Sequence, residues 1–556
     1  MLLMYRRKAS LSPVRGMCAA LPALLVVLSA SFGSAVFPAM AAEGPIQGGT
    51  LIYLEHQAHT NLYSPSGGFY PNGGILNQIT DRLTWQDPVS LEMKPWVATS
   101  WEINADYTQF TFHIRPGITF SDGSKLDAAV VAENFDIFAR GSKARRLPVS
   151  EVVNNYARSE VIDPLTVRFD FNTPSPGFLQ GTSVIGSGLL SHATLQRSFD
   201  ELGLGTHIIG SGPFVIADEI VGKEVDLAAR PDYRWGPDGA TRRAWLDRVR
   251  ILVTPEDSIR LGALLAGQAD FIRDVAAYDE EQVRLRGYML YAPSTRGVNN
   301  ALAFRPDNPL VADRRVRAAL LHATNREEIV TALFSGNYPL ARSVIATKAA
   351  GFEDLSRQLA FDPALAAHLL DEAGWHLADD GLRYKDNQPL ALGIHFALPQ
   401  PQNRTMLELI AQQWRRVGVQ LNVMSGSTAG VIIDNLDPAR TPLMMAEVGR
   451  ADPDVLKSEF YPSNRDILLQ KGGQSTKVQS FADARLNALL QAISADVNPQ
   501  DRLRKTQEAQ EYILDACYVI PILEEPQVYA GAPAVHGVSF EAVGRPNFYD
   551  MWLGAR

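Results

Sequence analysis

The stretch EVGRADPDVL, residues 447–456, sets three carboxylates, Glu447, Asp452 and Asp454, and one guanidinium, Arg450, around a proline. A guanidinium offers a planar fork that matches carboxylate or phosphate, whereas carboxylates suit an amine. The stretch therefore reads as the floor of a binding site, or as a solvated loop stiffened by pairing of Arg450 with Asp452 or Asp454. Asp454, placed after the proline, also suits the N-cap of a following helix. A second cluster, EHQAH, holds Glu55, His56 and His59. Histidine and carboxylate are zinc donors, but the order is a scrambled zincin motif without its helix, so no metal is expected.

Nucleophilic and phosphate chemistry find no support. The chain has no G-x-S-x-G elbow, no H-E-x-x-H and no G-x4-G-K-[ST] loop. GLGTHIIGSG holds a G-x-G, but no glycine follows at the third position after it. No cofactor is expected. Absence of a recognisable reaction centre favours binding over catalysis and leaves an exported hydrolase as the weaker alternative.

The elements that must position these residues are legible from periodicity and caps. GGTLIYLEHQ reads as a strand that delivers Glu55 and His56 to a loop. YTQFTFHIR alternates Phe110, Phe112 and Ile114 on one face and is followed by a turn at SDGS. LDAAVVAENFDIFARG is an amphipathic helix capped by Asp127 and closed by Gly141. VIDPLTVRFDF is a strand pair around an Asp-Pro turn. NREEIVTALFSG opens on an Asn325–Glu328 capping box and ends at Gly336, and FDPALAAHLLDEAGW has Asp362 as cap, Pro363 at the first turn and Gly374 as stop. PLALGIHFAL, then RTMLELIAQQWRRVG, then VQLNV give a strand, a helix and a strand, the signature of an α/β lobe. Trp375 and Trp414 fall at core spacing on their helices.

The first residues read as an export leader: Arg6, Arg7, Lys8 and Arg15 precede an apolar run, and Ala39, Ala41 and Ala42 fit cleavage after about residue 42. An uncleaved anchor is the alternative, weakened by Pro22 and Pro38. Cleavage removes Cys18, so Cys517 has no internal partner. No lipid-accepting cysteine ends the leader, and a free, soluble periplasmic protein is expected. With 52 Lys and Arg against 61 Asp and Glu, the net charge of −9 argues against nucleic acid as partner. A length of 556 residues exceeds one core, so at least two lobes are required.

Several stretches in order resemble the family 5 extracellular solute-binding proteins, the dipeptide, oligopeptide and nickel receptors of ABC importers. They are MKPWVATSWEINADYTQFTFHIRPGITFSDGSKLDAAVVAENF, GSGPFVIADEIVGKEVDLAARPDYRWG, LLAGQADFI, NPLVADRRVRAALLHATNREEIV and AAHLLDEAGW. The resemblance implies an α/β fold of two lobes, with a third subdomain inserted in lobe one and a ligand cleft between the lobes. It places the leader at 1–42 and lobe one at 43–80, 200–295 and 521–556. The insertion would be 81–199 and lobe two 296–520, with hinges at YAPSTRGVNN and CYVIPILEEP.

The resemblance further implies a monomeric receptor that captures a small peptide or related polar solute and delivers it to the membrane subunits of an ABC permease. Peptide-binding members anchor the ligand amine with an aspartate where Gly449 stands here. Either Asp452 or Glu447 takes that role, or the solute is of another kind, opine-, sugar- or metal-chelate-like. Arg450 would then meet an acidic group. Glu55, His56 and Tyr70 are expected to face the cleft, and Arg296 and Asn299 to reach it from the hinge.

Overall fold

The computed structural model describes residues 44–150, 152–397, 401–435, 437, 439–461 and 483–555. The leader expected at 1–42 lies outside them. No helix among the described residues is long and apolar enough to cross a membrane.

Three sheets organise the chain. The first has seven strands, in the spatial order Met289–Tyr291, Tyr529–Gly531, Phe271–Arg273, Thr50–Glu55, Arg248–Val253, Glu224–Ala229 and Phe214–Ile220. Thr50–Glu55 lies at its centre and runs parallel to both Arg248–Val253 and Phe271–Arg273. Its side chains alternate, so Leu51 and Tyr53 enter one apolar core while Leu54 enters another. Because the three strands are parallel, their carboxyl ends emerge on one edge, the edge at which open α/β sheets bind ligands.

The second sheet has five strands, in the order Gln420–Gly426, Ala391–Ala397, Leu443–Val448, Val298–Phe304 and Val519–Leu523. Ala391–Ala397 and Gln420–Gly426 are parallel and joined by the helix Pro401–Arg415, the strand–helix–strand unit read from the sequence. Trp414 of that helix is fully buried and donates from Nε1 to Thr324 Oγ1 at 2.9 Å; Trp375 is buried in the same core. The third sheet, with four antiparallel strands, runs from Ala98–Ile103 through Gln109–Ile114 and Thr166–Phe171 to Tyr156–Asp163 at the edge. Phe110 and Phe112 turn inward to a cluster of rings with Phe135, Phe169 and Phe178.

The caps act as their residue types require. Asp127 accepts from the backbone N–H groups of Ala129 and Val130, and Asp362 from that of Leu365. Asn325 accepts from the Glu328 N–H at 3.0 Å, but the reciprocal half of the capping box is made by another helix. Gln413 Oε1 accepts from the Asn325 N–H at 3.0 Å and Gln413 Nε2 donates to Glu328 Oε2 at 2.9 Å. That helix ends at Leu333, short of Gly336.

The chain passes twice between the first and second sheets. It leaves Tyr291 and enters the second sheet at Val298, then leaves Leu523 and re-enters the first at Tyr529. The two crossing segments pair with each other through Ser294 and Pro526. Gly297 lies so close to the next chain segment that a Cβ there would overlap the Val448 carbonyl.

Candidate functional site

A cavity of about 300 Å³ is lined by residues that follow strands of both large sheets. His56 and Gln57 come from the end of the central strand Thr50–Glu55, and Arg273 and Asp274 from the end of Phe271–Arg273. Glu447, Val448, Gly449 and Arg450 come from the end of Leu443–Val448, and Glu525 and Gln527 from the second crossing segment. Trp85 and Gln86 on the strand Thr84–Gln86, Tyr70 at the start of the helix Tyr70–Ile79, and Arg545 near the C-terminus complete the walls.

Arg273 organises one wall. Its Nη1 donates to Glu55 Oε1 at 2.9 Å, and Nε and Nη2 both donate to Gln527 Oε1, at 2.9 and 2.6 Å. Burial by itself would raise the Glu55 carboxyl, but Arg273 and His56 bring it down to about 2. Glu55 therefore stays ionised behind the wall and fixes Arg273, while His56, 2.9 Å from Glu55 Oε1, faces the cavity. Tyr70 is held between two guanidinium groups, Arg273 at 4.9 Å and Arg545 at 4.3 Å from its ring centre, and its hydroxyl donates to the Val543 carbonyl.

Opposite charge is concentrated at Glu447 and Glu525. Glu447 presents its side chain to the cavity, and Glu525 accepts from Asn300 Nδ2. Removal from bulk water is the main cause that pushes both carboxyls above the usual range, and the proximity of the second carboxyl raises Glu447 further. Two carboxyls so placed disfavour both being ionised at once, and a neighbouring cation would relieve that repulsion.

The opening stretch divides between site and scaffold. Arg450 lines the cavity, yet it also meets Gln180 Oε1 at 3.4 Å, Ser458 Oγ at 3.5 Å and Asp454 Oδ2 at 3.6 Å. Asp452 is absent from the lining: it is buried and paired with Arg502 at 2.9 Å, and Arg502 and Arg450 hold its carboxyl below the usual range against the effect of burial. Asp454 stands at the N-cap of Val455–Phe460, but its side chain makes no capping bond and accepts from Ser494 instead. At Gly449, an added Cβ would meet Tyr70 Oη and the Thr295 carbonyl at 3.4 Å, ordinary contact.

Of the residues singled out from sequence, His56, Tyr70, Glu447 and Arg450 are brought together on the cavity, with Glu55 directly behind it. Arg296 and Asn299 are not. Arg296, at φ 53°, sends its guanidinium to the Pro88 carbonyl at 2.8 Å, and Asn299 is buried against the Ser343 carbonyl at 2.9 Å. In the strand Val298–Phe304 neighbouring residues face opposite ways, so Asn300 rather than Asn299 reaches the Glu525 carboxyl. His59 pairs with Glu219 at 3.1 Å, away from His56, so EHQAH does not converge.

Sequence reasoning missed Arg82, Arg273, Glu525 and Arg545. Arg273 carried a signal, a charged pair ending the apolar run in ADFIRD. Arg82, next to Asp81, and Arg545 lie in irregular segments, and only the fold brings them to the cavity.

Residues 92–456 match the family model described as bacterial extracellular solute-binding proteins, family 5 Middle. The chain is 24% identical over 499 residues to heme-binding protein A of Haemophilus influenzae, covering 85% of this chain and 86% of that protein. It is 21% identical over 501 residues to di/tripeptide-binding protein 1 of Pseudomonas aeruginosa, with 86% and 89% covered. Among solved structures, the oligopeptide-binding protein AppA of Bacillus subtilis, in complex with a nonapeptide, superposes with a TM-score of 0.79 at 18% identity, covering 92% of this chain and all of that one. With more than half its length matched, the chain belongs to the family 5 bacterial extracellular solute-binding proteins, the solute-binding components of ABC importers, and is not an enzyme.

Proposed function

We propose that this receptor captures a short peptide, or a solute with the same charged groups, in the periplasm and delivers it as a monomer to the membrane subunits of its permease. The observation that carries the reading is the charge layout of one cavity. Glu447 and Glu525 supply a carboxyl pair for an ammonium group, while Arg82, Arg273, Arg450 and Arg545 supply guanidinium groups on the same lining. A zwitterion satisfies both, and about 300 Å³ is at the lower end of small-molecule sites, which suits a short peptide. The naming of a relative as a di/tripeptide-binding protein supports the same class.

In this reading Glu447 takes over from the missing aspartate at Gly449, and Arg450, His56 and Tyr70 contact the solute. Glu55 acts through Arg273, and Asp452, Arg296 and Asn299 support the walls. Lobe one comprises 43–80, 200–295 and 521–556, the insertion 81–199 and lobe two 296–520, with the two crossing segments as hinges. The leader 1–42 is removed on export.

The test is native mass spectrometry of the mature chain purified from an exporting host. A retained set of masses matching short peptides supports the proposal. A single non-peptide mass moves the solute to the opine, sugar or metal-chelate class. N-terminal sequencing of the same material decides whether residues 1–42 are cleaved.

A further inference from the structure

We infer that segment 175–180 of the insertion is a clasp that seats on lobe two, with Gly177 and Gln180 as the residues that position it. The inference rests on the reading of 81–199 as an insertion in lobe one and of 296–520 as lobe two. It adds that the insertion, and not lobe one alone, makes the contact that closes the cavity.

The segment is fixed from behind. Phe178 is buried among Phe110, Phe135, Phe169 and Phe171, with ring centres between 4.6 and 5.7 Å away. The Ser175 N–H donates to the Tyr107 carbonyl at 2.9 Å, and the Gly181 N–H donates to the Gly177 carbonyl at 2.9 Å, which closes one helical turn. Gln180 is steadied within the insertion by donating from Nε2 to Gln86 Oε1 at 3.1 Å. With Phe178 held in the core, its neighbours Gly177 and Gln180 meet lobe two.

The seat on lobe two is equally fixed. Asp452 Oδ1 accepts from the Asp454 N–H at 2.8 Å and from Arg502 Nη2 at 2.9 Å. Arg502, on the helix Pro499–Asp515, also donates from Nε to the Ile493 carbonyl at 3.0 Å. A Cβ on Gly177 would lie 3.4 Å from Asp452 Oδ1, 3.5 Å from Arg502 Nη2 and 3.9 Å from Arg450 Nη2. Those are contact distances, so a methyl group fits there and a long side chain collides. Gly177 has φ −73° and ψ −10°, a conformation open to every residue. The glycine therefore supplies room, not backbone freedom.

Gln180 joins the clasp to the cavity. Its Oε1 accepts from Arg450 Nε at 3.4 Å, the nearest of three acceptors around that guanidinium. Gln180 and Arg450 both line the cavity, whereas Gly177, Asp452 and Arg502 are absent from its lining. Parting the insertion from lobe two would thus breach the cavity wall between Gln180 and Arg450. Two surfaces, each braced by its own core or ion pair, separate and meet as rigid units.

The experiment is double electron–electron resonance on the mature chain with nitroxide labels at Thr173→Cys and Gln500→Cys. Both positions are exposed, one beside each half of the contact, and the buried Cys517 is shielded from the label. The chain with Gly177 is expected to show a short-distance population, and Gly177→Trp to lose most of it. Gly177→Ala is expected to keep it. Persistence of the short distance in Gly177→Trp overturns the clasp. So does its absence from the chain with Gly177, both alone and with a pool of tripeptides. Should the tryptophan variant not fold, Gly177→Leu is read in the same way. Gln180→Ala is expected to thin the short population, and an unchanged population overturns the role given to Gln180. Retention of the tripeptide pool in native mass spectrometry judges the peptide reading separately, so either can fail alone.

Discussion

Arg450, Asp452 and Glu447 lie within six residues of one another and have three different positions. Asp452 is a structural ion-pair partner, buried with Arg502 at 2.9 Å. Asp452→Ala leaves Arg502 unpaired and is expected to lower stability by about 3–5 kcal/mol, measured by urea unfolding, without a matching loss of affinity in the folded protein. Glu447 and Glu525 behave oppositely, since their pKa values are raised above the ordinary glutamate value of 4.5. The folded state then holds more protons than the unfolded chain at pH values above that range. Stability of the solute-free protein is therefore expected to fall as pH rises above the ordinary glutamate value of 4.5 on account of this pair. Glu447→Gln removes the penalty, so its unfolding midpoint should decline less over the same range in calorimetry. A solute ammonium favours ionisation of the pair, so its affinity should rise with pH across that window. Titration calorimetry in buffers of different ionisation enthalpy would show the proton released.

Elements act by fixing where a strand ends. The parallel strands Thr50–Glu55 and Phe271–Arg273 deliver Glu55 and Arg273 side by side, and Leu443–Val448 delivers Glu447 from the other large sheet. The crossing segment at Gly297 packs against the Val448 carbonyl, next to Glu447. Gly297→Ala forces those backbones apart and is expected to cost about 1–3 kcal/mol of stability, and to weaken solute binding by displacing Glu447. Unchanged affinity in a folded Gly297→Ala would separate the crossing segment from the site. At helix ends the effects are smaller. Asp127→Ala should cost about 1 kcal/mol with no effect on binding, because its helix belongs to the four-stranded region.

At the scale of the molecule, the cavity takes its walls from both large sheets, and among the described residues the chain crosses between them at the paired segments 292–297 and 524–528. Two connections that lie side by side permit rotation of one lobe on the other, as hinge closure requires. Saturating solute is expected to reduce the radius of gyration in small-angle scattering, and an unchanged radius would rule out closure. Such closure would exclude water from Glu447, which is exposed to the cavity here, so its carboxylate would need a partner on the solute.

The sequence by itself determined the elements and their class. Alternating Phe110, Phe112 and Ile114, the caps Asp127 and Asp362, and the strand–helix–strand run from Ala391 to Gly426 are local patterns, set by periodicity and backbone hydrogen bonding within a few residues. The family motifs ordered along the chain carried the resemblance that implies the family's fold. Of the residues singled out from sequence, those that line the cavity lie at or just after the end of a strand, as His56, Glu447 and Arg450 do, or at the start of a helix, as Tyr70 does. Tertiary structure decided the rest, because pairing depends on residues far apart in the chain. Arg273 meets Glu55 across 218 positions, Asp452 meets Arg502 across 50, and Arg545 meets Tyr70 through a gap that Gly73 leaves open. Charge in a loop has no fixed partner until the fold supplies one, and so Asp452 became scaffold while Arg82, unremarkable in sequence, became a candidate for the solute.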